Sequence, residues 1–280
     1  MIAVSELSFK RGEGVINQCD REVKQMDKFY IARADEIEKI YDEKGFAITE
    51  LLEGSHDGSI HNYKGFLKAG SEIRPELFPD KIVIYMFGKG RGYVADQNGV
   101  NDIVEEVSFY FPDFDKNPYK IHAFEDMEFI KSVVNMEDYD WDDYQSSHVR
   151  LPYFRPLSKC PRYDQDCKGA HTTSWHVLNP KQLGHVILGV VRAVGEGTDE
   201  KGHPAVHQWN YCLGNSDFDL TVDGETTRTQ AGDWSFIPAG PDHSLIAQPG
   251  KEVFYVWYEQ YTRGAGDYIV KLAKDEKEQG

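Results

Sequence analysis

The stretch "GEGTDEKGHPAVHQWNYCLG", residues 195–214, together with "GDWSFIPAGPDH", residues 232–243, decides how this chain is read. Its second half is too aromatic and β-branched for a helix and reads as a strand. Along an extended strand, residues of equal parity share a face, so Lys201, His203, His207, Trp209 and Tyr211 are expected to point the same way, subject to a bend at Pro204. Three of these side chains are polar and two are aromatic. Any one of these histidines, or His243, taken alone reads as a turn or surface residue; the question is what they do together.

The remainder of the chain narrows the answer. At 280 residues, with 40% hydrophobic residues, it is long enough for one large domain or two ordinary ones and can bury a substantial core. The formal net charge of -16 argues against a nucleic-acid partner, which calls for clustered Lys and Arg. No apolar run approaches the roughly 20 residues of a membrane helix, and the N-terminal residues have no secretory apolar stretch, so no membrane partner and a cytoplasmic location are expected. Cys19, Cys160, Cys167 and Cys212 lack zinc-site spacing and read as reduced thiols, with a Cys160–Cys167 pairing left open.

Residues 20–44 place Val23, Met26, Tyr30, Ile37 and Ile40 on one helical face, with Gly45 as C-terminal cap. This predicts a helical arm over residues 1–45, packed on the body of the protein or, as the alternative, on a second copy in a homodimer. Residues 46–134 change to short apolar segments, "FAITELL", "KIVIYMF" and "DIVEEVSFYF", separated by Gly, Asp and Asn, the texture of an all-β unit. Residues 135–184, with "MEDYDWDDY" and several prolines, read as an interdomain linker whose acidic run is solvated. The β texture returns over 185–262, and 263–280 reads as a C-terminal tail. Two β-rich halves of similar length suggest an internal duplication.

In the C-terminal half the spacing resembles the cupin superfamily, small β-barrels that hold a metal between two short motifs. Gly195, Lys201, His203, His207 and Gly214 stand at the intervals of the first motif; Gly232, Pro238, Gly240 and His243 stand at those of the second. Lys201 occupies the place of the family's first His, His207 that of its Glu, and Ala247 that of its Asn. The N-terminal half carries a worn copy: Gly70, Glu76, Phe78, Lys81 and Gly88, then His122 after Pro118 in "PYKIHAF". The resemblance implies an all-β fold of two cupin-type barrels, a bicupin, with the N-terminal barrel degenerate and kept for packing. An accessory pocket lined by Glu76, Lys81 and His122 is the alternative there. A partial resemblance to bicupins of the ureidoglycine aminohydrolase type extends to the architecture, since this chain has Lys201 and His243 where that group has Glu and Gln.

A barrel interior presenting two imidazoles and an ammonium is costly unless something satisfies them. One divalent metal per chain, held by His203, His207 and His243, would do so and would keep open positions for a ligand. Imidazole suits Zn, Fe, Ni or Cu and is compatible with Mn, so the ion is not chosen by sequence. Gln208 is a reserve ligand, because its parity puts it opposite His207. Lys201 is the candidate catalytic residue, expected at the barrel mouth with a lowered pKa, and Trp209 and Tyr211 are the candidate substrate-binding walls. These expectations describe a metal-dependent hydrolase, lyase or isomerase acting on a small carboxylate- or carbonyl-bearing substrate. A three-His Fe(II) dioxygenase and a non-catalytic small-molecule-binding cupin are the alternatives.

Overall fold

The computed structural model describes residues 30–53 and 58–261. Its strands form four antiparallel sheets in two pairs. In the N-terminal half, a six-stranded sheet that includes Ile60–Leu67, Lys81–Lys89, Ser108–Phe111 and Met127–Asn135 faces a four-stranded one that includes Gly92–Asp96 and Lys120–Ala123. In the C-terminal half, a seven-stranded sheet built around Val186–Val194, Val206–Cys212 and Glu252–Tyr261 faces a four-stranded one of Gly197–Glu200, His243–Ile246, Asp217–Val222 and Glu225–Gln230. The all-β, two-barrel expectation therefore holds.

The two large sheets lie back to back, which explains the unbroken apolar runs that alternation alone would not predict. In "KIVIYMF", Val83, Tyr85 and Phe87 enter the N-terminal barrel, while Ile82, Ile84 and Met86 join a core shared with Leu188, Val190, Trp209, Tyr211 and Tyr258 of the other half. Both faces of these strands are buried, so both are apolar. The N-terminal barrel is filled by Tyr85, Phe87, Tyr110, Tyr119 and Phe129, with the Tyr85 and Tyr119 hydroxyls 2.9 Å apart. His122 lies on the outer face of its sheet, stacked on Tyr93 at 5.1 Å, so the alternative pocket with Glu76 and Lys81 is not formed inside this barrel. The side of Lys120–Ala123 that faces inward carries Ile121 and Ala123 instead.

Three expectations need correction. The helix over 20–44 fails where it is described: Tyr30–Ala32 is a strand paired with Trp234–Ile237, and residues 20–29 lie outside the described residues. Edge pairing and the Arg33–Asp233 ion pair at 2.9 Å, with Ala34 N donating to Asp233 at the same distance, outweigh helical propensity. Gly45, at φ 74°, closes a turn whose Phe46 and Lys44 amides donate to Asp42. Residues 135–184 supply strands as well as connection, since Tyr153–Pro156 pairs with Ser108–Phe111 and Thr173–Leu178 pairs with Val186–Val194. The acidic run is a helix, Asp138–Ser146, whose Asp140 is buried and 2.7 Å from His185 Nδ1. Cys160, Cys167 and Cys212 are free thiols, and no described helix is long and apolar enough to cross a membrane.

One buried cation joins the halves. Lys64 Nζ, on Ile60–Leu67, donates to the Tyr211 hydroxyl at 3.1 Å and lies 3.6 Å from Glu128. Burial drives its pKa down to about 8, with Glu128 pulling the other way. A depressed folded-state value means that stability from this group is complete above the unfolded value and is lost as the pH falls through about 8. The stability of wild type minus that of Lys64→Met should therefore rise by roughly 3 kcal/mol between pH 7.5 and 10.5. Urea denaturation at both pH values measures it, and a flat difference would show that Lys64 is not desolvated at the interface.

Candidate metal centre in the C-terminal barrel

The site lies where the chain leaves one sheet for another. Gly197–Glu200 belongs to the four-stranded sheet and Val206–Cys212 to the seven-stranded sheet, so parity cannot be counted across residues 201–205. In the first strand Thr198 and Glu200 face inward. In the second, Val206 and Cys212 join the barrel core with Gln208 on their side, whereas His207, Trp209 and Tyr211 face the other half of the molecule. The crossing is held tightly. Asp242 accepts from Gly202 N at 2.8 Å and from Lys201 Nζ at 2.9 Å, and Gly240 N donates to the His203 carbonyl at 2.9 Å. A side chain at Gly202 would overlap the Gly240 carbonyl oxygen.

This geometry brings Glu200, His203 and His243 together, each offering a donor atom within 4.8 Å of the others. His203 Nε2 is 3.4 Å and His243 Nε2 3.9 Å from Glu200 Oε2. Burial alone would raise the Glu200 pKa, but His203, His243 and Lys168 hold it below the usual carboxylate value. His203 is pushed down by burial and more than restored by Glu200 and Glu259, whose Oε1 is 3.7 Å from its Nδ1. His243 is lowered, chiefly by burial.

The donor set fits a divalent ion. His243 sets Nδ1 3.2 Å from the Pro241 carbonyl and Nε2 3.1 Å from Gln208 Oε1, and Gln208 commits its amide nitrogen to Asn210 Oδ1 at 2.9 Å. A neutral imidazole has one N–H for two acceptors, and burial disfavours the imidazolium. A divalent cation held by His243, Gln208 and Glu200 would resolve the conflict and leave Nδ1–H to donate to Pro241 and fix the ring.

The cleft above Glu200, His203 and Gln208 is also lined by Tyr163, His176, Trp257 and Glu259. Tyr163 stacks on His176 at 3.8 Å, and Trp257 stands edge-on to His176 at 5.9 Å. Burial pushes His176 down to about 4, which keeps it neutral at pH 7, and pushes Glu259 up to about 7. Lys168 is drawn down by burial to about 8, with Glu200 the main opposing influence, and is still cationic at neutral pH.

Four sequence expectations are corrected. Lys201 is 92% exposed and paired with Asp242, which raises its pKa, because it lies just past the end of the strand Gly197–Glu200. His207 lies outside the cluster: its ring packs against Phe236 at 5.6 Å and its Nδ1 accepts from Ala239 N at 3.1 Å. Trp209 and Tyr211 are walls of the core between the halves, Trp209 against Phe236 and Tyr211 under Lys64, and do not line the cleft. Glu200 stands one place from Lys201, and Gln208 one place from His207. The alternation within "GTDE" and within "VHQWNYC" was the signal for both.

Gly202→Ala should therefore disturb the site and the stability together, lowering the unfolding free energy by about 1–3 kcal/mol through overpacking. Denaturant titration of the variant measures this, and wild-type stability would mean that the crossing is loose.

No family model matches the sequence, and no curated protein matches it significantly. Solved structures do resemble it. A protein assigned as glyoxylate-induced from Pseudomonas aeruginosa aligns at TM-score 0.67 with 12% identity, covering 85% of this chain and 90% of that one. A point mutant of Bacillus subtilis oxalate decarboxylase aligns at TM-score 0.61 with 15% identity over 83% and 77%. A cupin 2 conserved barrel domain protein from Leptotrichia buccalis aligns at 0.57 with 14% identity over 85% and 99%. Identities this low establish the fold, and together with the paired sheets they make it the cupin fold built twice in one chain.

Proposed function

We propose that the C-terminal barrel is a metal-dependent enzyme site acting on a small carboxylate- or carbonyl-bearing molecule. The observation that carries this reading is the convergence of Glu200, His203 and His243 donor atoms within 4.8 Å, with Glu200 and His203 lining a cleft. Gln208 Oε1 is the fourth donor. A divalent ion held there supplies Lewis-acid polarisation of a ligand oxygen and a more acidic bound water.

The protein's own groups define the rest of the site. Glu259 stands behind His203 and Pro241 behind His243, a carboxylate and a carbonyl that orient the two imidazoles. Tyr163, His176 and Trp257 give the cleft aromatic walls that exclude water from one side of a ligand. Hydrolysis, elimination and isomerisation all draw on such a site. A second reading, an iron-dependent oxygenase, is favoured by one observation: two His and one carboxylate are the donor set of the facial-triad Fe(II) enzymes. The presence of Gln208 as a fourth donor supports the first reading over it.

Metal analysis of purified protein tests the assignment. Wild type should carry about one divalent ion per chain, and Glu200→Gln, His203→Ala and His243→Ala about a tenth of that or less. His207→Ala and Lys201→Met should keep the wild-type content, and loss of metal from His207→Ala with retention in Glu200→Gln would overturn the proposed ligand set. Oxygen uptake by iron-loaded protein with a carboxylate substrate would favour the oxygenase.

A further inference from the structure

Lys168 enters this site from outside the barrel's own motifs. It lies between strands Arg162–Tyr163 and Thr173–Leu178, and its segment lays an extra edge beside Gly197–Glu200. Lys168 forms an antiparallel bridge with Thr198, Asp199 N donates to the Cys167 carbonyl at 2.9 Å, and Gly169 N donates to the Gly197 carbonyl at 3.0 Å. Residues opposite one another across antiparallel strands project to the same side. Thr198 is fully buried, with its hydroxyl 3.1 Å from that of Tyr255, so Lys168 projects into the barrel on the side that carries Glu200.

Its ammonium is buried and lies 3.8 Å over the Tyr163 ring, the ring that also walls the cleft. It makes no hydrogen bond, and among the described residues no carboxylate is within ion-pair distance of it. Three N–H donors are thus unspent beside Tyr163, a wall of the cleft. A desolvated ammonium in that condition is costly unless a ligand completes it.

Charge balance says which ligand. A divalent ion and one ammonium outweigh the Glu200 and Glu259 carboxylates and leave the site net positive. A neutral carbonyl compound leaves that charge uncompensated; a small carboxylate removes it. The approach agrees. A neighbouring cleft that shares Pro180 with the site is lined by Arg150, Arg155 and Lys181 and by no carboxylate. In a chain of net charge -16 this is a local positive funnel for anions.

We propose that Lys168 is the anion-anchoring residue of this barrel, so that its ligands are small carboxylates held between the ammonium and the bound ion. The proposal rests on the metal-site reading above and narrows it from carbonyl or carboxylate to carboxylate. Lys168 donates hydrogen bonds to one carboxylate oxygen and positions the group; no covalent step is assigned to it.

Calorimetric titration of manganese-loaded protein with oxalate, malonate and lactate tests this, with oxamide as the neutral counterpart of oxalate and metal content measured on each sample first. Lys168→Met should keep its metal and its oxamide binding while losing about 10- to 100-fold in affinity for the carboxylates, the loss expected for one charge-assisted hydrogen bond. Lys168→Arg should recover part of it. A Lys168→Met protein that is metal-loaded and binds carboxylates like wild type overturns the proposal, as does a wild type that binds none of the three. A wild type that takes up no metal refutes the metal site instead, and the same titrations on that protein then decide the lysine's role alone.

Discussion

The change of sheet between Glu200 and Val206 is the constraint on which the site depends. It is made in five residues, with Gly202 pressed against Gly240 and Asp242 holding the backbone amide of Gly202. Because the strands on either side belong to different sheets, the inward-facing positions are 198 and 200 before the crossing and 206, 208, 210 and 212 after it. Even-numbered positions face inward on both sides, which places Glu200 and Gln208 in the barrel, and the crossing turns the odd-numbered His203 in to join them while Lys201 goes to solvent and His207 to the core between the halves. Had the strand run straight, His203 would share a face with Lys201 and His207 and would point away from Glu200.

The second half of the molecule works because the first half does something different with the same architecture. The N-terminal barrel is plugged by aromatic rings, and its tyrosine hydroxyls bond to each other and to Asp96. Its large sheet gives the C-terminal barrel a rigid back: Lys64 on Tyr211, and Ser132 donating to the Tyr258 hydroxyl at 3.0 Å, tie the sheets across an otherwise apolar seam. The segment between the barrels is equally structural. It lends one strand to the six-stranded sheet and two to the seven-stranded one, and through Tyr163 and His176 it forms one side of the cleft.

The fold was legible in the sequence because two-faced burial and glycine-bounded apolar runs leave strong traces, and because the glycine and histidine intervals from Gly195 to His243 form a pattern that composition alone does not give. The site was legible to within one residue. His203 and His243 could be named, since spacing alone marks them; Glu200 goes unnamed beside Lys201 and Gln208 ranks only as a reserve behind His207, since spacing does not say where a strand ends. The N-terminal strand Tyr30–Ala32 was hidden for another reason, namely that its partner lies some 200 positions away and its own residues suit a helix equally well. Lys168 carries no motif at all. Only its pairing with Thr198 shows where it points.

The proposed chemistry of the C-terminal barrel turns on one ion in one place. Crystals grown with manganese and measured at wavelengths either side of its absorption edge should show a single anomalous peak per chain. It should lie about 2.0–2.3 Å from donor atoms of Glu200, His203 and His243, with Gln208 Oε1 completing the set. A peak ligated by His207, a peak inside the N-terminal barrel, or density at the three residues that shows no anomalous signal would contradict it.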